Sequence, residues 1–301
     1  MRKTLFILIV LCFGSSVFAQ SWKRESSLEF GLMFGGSNYN GELVNTFFEG
    51  RGTSPAFGIF ARYNPVQRFT FRLNANYGNI SGDDRWYSSD EARAFRNLHF
   101  RSVLWDFSAG FDINLRILGY KRTRGAIPYI TSGISVFKFN PEAQFFYDPT
   151  GWQAIGQDQF QNYASLQARD EEWVQLQPLG TEGQETTEYN DLRRYSLTQF
   201  SVPLGVGFKF LLSKQWSFGV EYRTHFTFTD HLDDVAGLYA EPVYLEGQYG
   251  AISPAMADRS PSKNAAGIAR GDDSNNDRYN IFGVNISYRI ITGKANCYQF
   301  Y

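Results

Sequence analysis

From Trp216 to Phe228 the chain reads WSFGVEYRTHFTF, and its residues sort by parity. Trp216, Phe218, Val220, Tyr222, Phe226 and Phe228 fall on one side, and Ser217, Gly219, Glu221, Arg223, His225 and Thr227 on the other. Period-two alternation predicts a strand with one apolar and one polar face. In a water-soluble sheet the aromatic face packs into a core; in a membrane barrel it turns to lipid and the charged face lines the lumen. The same pattern recurs in Leu28 to Phe34, Phe57 to Tyr63, Phe69 to Tyr77, Val103 to Ile113, Phe200 to Phe210 and Phe282 to Ile290. Pro128 to Phe139 is the weakest of the set, with polar residues on both parities. About eight strands result, each long enough for the roughly 9–11 residues of a tilted membrane strand.

Connection lengths decide between the two faces. Short links at Asn64 to Arg68, Gly119 to Ala126 and Ser213 to Trp216 alternate with long ones, roughly Asn38 to Pro55, Ile80 to Arg96, Asn140 to Tyr195 and Asp230 to Arg278. Up-and-down membrane barrels alternate in this way, with short periplasmic turns and long extracellular loops. A compact soluble sandwich gives no reason for it. The expected fold is all-β: an up-and-down antiparallel transmembrane β-barrel of about eight strands. Glu29, Arg62, Arg72, Asp106, Asp112, Lys209, Glu221, Arg223, His225 and Arg289 then share the lumen. Both signs occur in comparable number, so they can pair. Eight strands leave an interior that side chains fill, which predicts a plugged lumen.

Composition agrees. The chain of 301 residues is 17% aromatic, yet its mean hydropathy is only -0.35, as half-polar strands and polar loops require. MRKTLFILIVLCFGSSVFAQ has a basic start, an apolar run and small residues before Gln20, the layout of a secretory signal peptide ending at Ala19. Residues 20–301 are then one barrel, with both termini periplasmic and a short periplasmic tail after the last strand. Loss of Arg2 and Lys3 takes the formal charge from -1 to -3, which offers no basic surface for nucleic acid. Only Cys297 remains after cleavage, so no internal disulfide can form.

Candidate chemistry is sparse. His231 beside Asp230 in THFTFTDHLDDV raises an alternative, an outer-membrane hydrolase whose histidine activates water, but no nucleophile motif accompanies it. Asp233 and Asp234 are weak candidates for a divalent cation, whereas DDSNND (Asp272 to Asp277) lacks the pattern of a calcium loop and reads as a flexible surface loop. No catalytic residue, cofactor, metal site or small-molecule substrate is expected from these motifs.

Three stretches together resemble the PorG-like outer-membrane β-barrel family of Bacteroidota: GGSNYNGEL (Gly35 to Leu43), PLGTEGQ (Pro178 to Gln184) and TDHLDDVAGLY (Thr229 to Tyr239). RYNP at Arg62 to Pro65 and FKFNP at Phe137 to Pro141 fit the same pattern. The resemblance implies a structural part in type IX protein secretion, in which the barrel sits among outer-membrane lipids. By the same resemblance it is expected to anchor or organise a periplasmic PorK-like lipoprotein and the PorN-like ring. The family-motif residues are Gly36, Asn38, Tyr39, Gly41, Thr181, Glu182, Gly183, Gln184, Asp230, Asp233 and Asp234, all expected at the extracellular side and expected to pack as a lid. On the opposite side Lys121, Arg122 and Arg124 concentrate positive charge, which suits an acidic partner.

Overall fold

A computed structural model describes residues 26–46, 49–87, 89–117, 124–148 and 163–293. Eight long strands make the barrel: β1 (Ser26–Asn40), β2 (Ser54–Asn64), β3 (Phe69–Asp83), β4 (His99–Asn114), β5 (Gly125–Lys138), β8 (Thr198–Leu211), β9 (Trp216–Thr227) and β10 (Arg278–Gly293). Each pairs antiparallel with its neighbours, and β1 against β10 and β3 against β4 leave no free edge. Closure satisfies every strand's backbone groups within the sheet, which an apolar surround demands. Two short strands, β6 (Pro141–Gln144) and β7 (Trp173–Gln175), extend the sheet from the top of β4.

The parity assignment holds around the ring. Phe30, Ile59, Leu73, Phe107, Ile134, Phe200, Val206, Trp216 and Ile286 point outward and are exposed. Glu29, Arg62, Arg72, Asp106, Asp112, Lys209, Arg223 and His225 point inward and are buried. An apolar belt on all sides is far larger than the patches a water-soluble monomer exposes, so the belt faces lipid. Aromatic pairs border it: Trp216 meets Tyr288 edge-on near the short turns, and Tyr77 meets Trp105 toward the long loops.

Pro128 to Phe139, the weakest sequence signal, is the body of β5. Its inward face carries Tyr129, Thr131, Ser135 and Phe137, while Ile130, Ile134 and Val136 face out. Polar residues on both parities arise because Ser132 faces outward between larger neighbours. Close approach of two strands explains Gly35 opposite Gly283 and Gly110 opposite Gly133. A Cβ at Gly35 would lie 1.9 Å from the Phe282 carbonyl oxygen, and one at Gly110 would lie 2.2 Å from that of Ser132.

The apolar core in the usual sense sits outside the belt, among the long connections. Leu43, Phe100, Phe139, Leu232, Val235 and Met256 are buried together there. Among the described residues three short α-helices lie in these connections, α1 (Glu91–Arg96), α2 (Pro242–Tyr249) and α3 (Ile252–Ala257), and α3 contributes Ile252, Ala255 and Met256 to this core. The Asp90 side chain caps α1 by accepting from Ala92 and Arg93 N–H. The long connections thus form a packed cap over one mouth of the barrel. DDSNND departs from the expectation of a flexible surface loop: Asp272 to Asn275 is an exposed turn, but Asp277 is fully buried where β10 begins.

Candidate functional site

Parity brings the lumen charges together from around the ring. Near the short turns Glu29 of β1 accepts from Lys209 at 3.1 Å and Arg289 at 2.8 Å. At mid-height Arg72 bridges Asp112 at 3.0 Å and Glu221 at 2.8 Å, and Arg62 reaches the same two carboxylates at 3.4 and 3.3 Å. Arg223 adds a third guanidinium to Glu221 at 2.8 Å, and the Tyr129 hydroxyl donates to it as well. The Arg62 guanidinium also lies over the Phe60 ring, 4.4 Å from its centre. Higher up, Asp106 accepts from Asn76 at 2.7 Å and Tyr279 at 2.9 Å, with His225 at 3.4 Å. Charges withdrawn from water persist only when so paired, and some of these pairs, Arg72 with Glu221 and Lys209 with Glu29, span the bore between strands that are not neighbours. The lumen is therefore crossed and filled by side chains.

The cap gathers the three motif stretches. Tyr39 at the end of β1 donates to Asp233 at 2.6 Å and lies 2.7 Å from Asp277. Asp234 accepts from Thr181 at 2.5 Å and from Tyr195 at 2.7 Å, with Arg270 at 3.7 Å. Asp234 adopts a left-handed backbone, φ 67°, which aspartate tolerates better than most residues. Glu182 accepts from Ala236 and Gly237 N–H and from Arg270, all within 3.0 Å. The motif around Thr181 is thereby tied to the motif around Asp234, and Asp233 is tied back to Tyr39.

The remaining motif residues serve the backbone. Asn38 accepts from Asn280, Gly183 takes φ 91° in a turn closed onto Gly180, and the Gln184 side chain accepts from Glu182 N–H. Gly36 is buried in β1. At Gly41 a Cβ would run into an Asp277 carboxylate oxygen and the Tyr39 hydroxyl, so a larger residue there would displace both.

Asp230 differs from its neighbours. It was expected to accept hydrogen bonds within the lid; instead both its carboxylate oxygens are shut from water with no hydrogen-bond partner. His231 does not orient onto it: His231 Nδ1 is likewise unpartnered and the ring lies against Tyr195, 4.6 Å between centres. The dyad that a water-activating site requires is not formed. Burial and the neighbouring acids push the Asp277 carboxyl well above the usual carboxylate range, and burial with Glu42 does the same to Asp233 and Asp230. Burial raises Asp234 to about 6 even with Arg270 beside it.

Lys121 and Arg122 lie outside the described residues, as does Cys297; Arg124 is exposed just before β5. Sequence reasoning missed Tyr129, Glu42, Tyr195, Arg270 and Asp277. Asp277 had a signal, since it continues the inward parity of Tyr279, Ile281, Asn285 and Arg289. Arg270 had none, because no periodicity runs through the loop that carries it.

Closed barrel, lipid-facing belt and filled lumen define an outer-membrane β-barrel protein. Residues 2–151 match the model of a family described as "Domain of unknown function (DUF6089)". None of the curated proteins matches the sequence. Among solved structures, the chain is similar to Ail, the attachment invasion locus protein of Yersinia pestis, at 9% identity and a TM-score of 0.38, covering 88% of this chain and 99% of that one. It is also similar to the outer membrane protein OprG of Pseudomonas aeruginosa, at 9% identity and a TM-score of 0.37, covering 90% and 99%. A major outer membrane protein of Thermus thermophilus shows 10% identity and a TM-score of 0.32, covering 88% and 99%.

Proposed function

We propose that this barrel is a structural component of the type IX secretion machinery that anchors or organises the periplasmic ring lipoprotein complex at the outer membrane. The observation that carries the reading is the lumen: Arg62, Arg72 and Arg223 converge on Glu221 from three strands and block the bore at mid-height. A blocked bore suits an anchor and not a conduit. The family resemblance of the three motifs supplies the machine. The unformed Asp230 and His231 dyad speaks against the hydrolase alternative, and the protein is read as non-enzymatic. In this reading the long-loop cap is extracellular, and the positive charge that the sequence concentrates at Lys121, Arg122 and Arg124, between β4 and β5, complements an acidic surface of the lipoprotein.

The test is crosslinking and pull-down from outer membranes with a tagged chain, against a variant with Lys121, Arg122 and Arg124 made neutral. Capture of a periplasmic ring lipoprotein, weakened in the variant, is the expected result. Absence of any periplasmic partner, together with normal export of cargo from cells lacking the barrel, would overturn the proposal and leave only the barrel.

A further inference from the structure

Four carboxylates meet where the cap joins the barrel: Glu42 after β1, Asp230 and Asp233 after β9, and Asp277 before β10. Oxygens of Glu42, Asp230 and Asp277 all lie within 4.8 Å of one another. Donors are too few for them. The Tyr39 hydroxyl holds one proton yet faces both Asp233 and Asp277, at 2.6 and 2.7 Å. Leu232 N–H serves Asp277 and Val235 N–H serves Asp233. Asp230 receives nothing: it is 8% exposed, and neither of its oxygens has a partner. Among the described residues none of the four acids is in an ion pair; Arg96, the cation whose field reaches Glu42 and Asp233, is engaged by Asp84 at 2.8 Å.

Buried carboxylates without countercharge are costly, and an isolated one costs most. Elsewhere in this protein buried acids are met either by a guanidinium, as at Glu221 and Asp234, or by several neutral donors, as at Asp106 and Asp258. Here the fold gives Asp230 neither and leaves an unpartnered carboxylate pointing at two others. We propose that Glu42, Asp230 and Asp277 bind a divalent cation of the calcium class, which joins the first long loop and the ends of β9 and β10. The donors are all hard oxygens, with no histidine or cysteine, which selects calcium-like ions over zinc or copper. The Tyr39 hydroxyl, 2.7 Å from Asp277 and 2.6 Å from Asp233, ties that ligand to the next acid. Access exists: Glu42 is only partly buried and lines an open cleft of about 690 Å³ shared with Arg93, Arg96 and Asn275. The site is independent of the secretion reading, since it concerns the cap alone.

The cation fits a role that the sequence pattern leaves open. β1 and β10 are the first and last barrel strands and form the seam that closes the ring. A cation held by residues flanking β1, β9 and β10 fastens that seam at the cap and couples cap folding to barrel closure.

Terbium is a direct probe, because its emission is sensitised by a nearby tyrosine and Tyr39 touches the cluster. Full-length barrel, purified in detergent with a chelator and then dialysed free of it, is titrated with Tb³⁺ and the emission displaced with Ca²⁺. Saturable Tb³⁺ emission displaced by Ca²⁺ at about 10⁻⁴–10⁻³ M, the range of weak carboxylate calcium sites, is expected. Asp230→Asn should weaken Ca²⁺ displacement roughly tenfold or more, because it removes a ligand charge while keeping the shape. Asp272→Asn, in the exposed turn nearby, should leave it unchanged. Folding of each variant is checked by the heat-dependent gel shift of the closed barrel. If Asp230→Asn does not fold, Glu42→Gln, at a partly exposed loop position, decides in the same way. Lack of saturable emission from the folded wild type, or equal Ca²⁺ affinity in a folded variant, would overturn the proposal and show that the acids share protons.

Discussion

At the residue scale, burial of charge governs what each position tolerates. Glu221 is met by Arg62, Arg72, Arg223 and Tyr129, and Glu221→Leu would leave Arg223 without a carboxylate and Arg62 and Arg72 sharing Asp112 alone. Breaking such a network by removing one partner costs about 3–5 kcal/mol, so the variant should unfold at markedly lower urea in detergent; an unchanged midpoint would show that water reaches the arginines. Asp234 makes a pH-dependent contribution of definite sign. Its carboxyl stands at about 6 in the folded cap against 3.8 as a free side chain. Folding therefore binds a proton there, and the resulting stabilisation is complete below about pH 3.8 and is lost as pH rises through about 6, up to about 3 kcal/mol. Groups facing it are Thr181, Tyr195, Arg270 and Glu182. Asp234→Asn keeps the left-handed backbone and removes the titration, so the fall in cap protease resistance between pH 4 and 6.5 should be smaller in the variant than in the wild type.

Legibility differs between these residues for a physical reason. Glu221, Arg223 and His225 could be placed in the lumen from sequence because a strand's period of two leaves only two faces. Tyr129 could not, since β5 carries polar residues on both. Arg270 and Glu42 sit in connections, where backbone direction changes with each turn and no period relates neighbours. Asp230 was legible as part of a motif but not as an acid without a partner, because partnership depends on loops far apart in sequence.

At the element scale, the chain's strand count and alternating connection lengths were readable because barrel geometry repeats. Strand limits were less so: β3 runs to Asp83 and β10 begins at Arg278, each beyond its apolar alternation. Arg278 is exposed, but beside the cap alternation gives way to buried runs, Tyr279 to Ile281 on β10 and Gly82 to Asp83 on β3. The burial of Gly36 to Tyr39 in an unbroken run at the top of β1 shows the change. The seam between β1 and β10, like the β4–β5 pair, is sensitive to volume. A side chain at Gly35 collides with the backbone of Phe282 and Gly283, which cannot rotate away. Gly35→Val should therefore lower the yield of heat-resistant folded barrel several-fold, whereas Gly247→Ala on α2, where a Cβ meets nothing within 4 Å, should not. Equal yields would mean that the two strands separate at little cost.

At the scale of the whole molecule, the belt, lumen and cap divide the work of stability. Lipid offers the outer surface no driving force for packing, so specificity must come from inside the ring and from the cap. The lumen supplies it through side chains that span from wall to wall: Arg62 and Arg72 reach from β2 and β3 to Glu221 on β9, and Lys209 reaches from β8 to Glu29 on β1. A bore crossed in this way has no continuous water path. Wild-type barrel inserted in a planar bilayer should accordingly give no stepwise conductance. Replacing Arg62, Arg72, Asp112, Glu221 and Arg223 together with alanine removes the mid-height crossing while avoiding the unpaired charge left by a single change. Conductance steps in that variant, provided it still shows the folded gel shift, would locate the block at Glu221. Steps in the wild type would refute the filled lumen, and the anchoring role argued from it would fall as well.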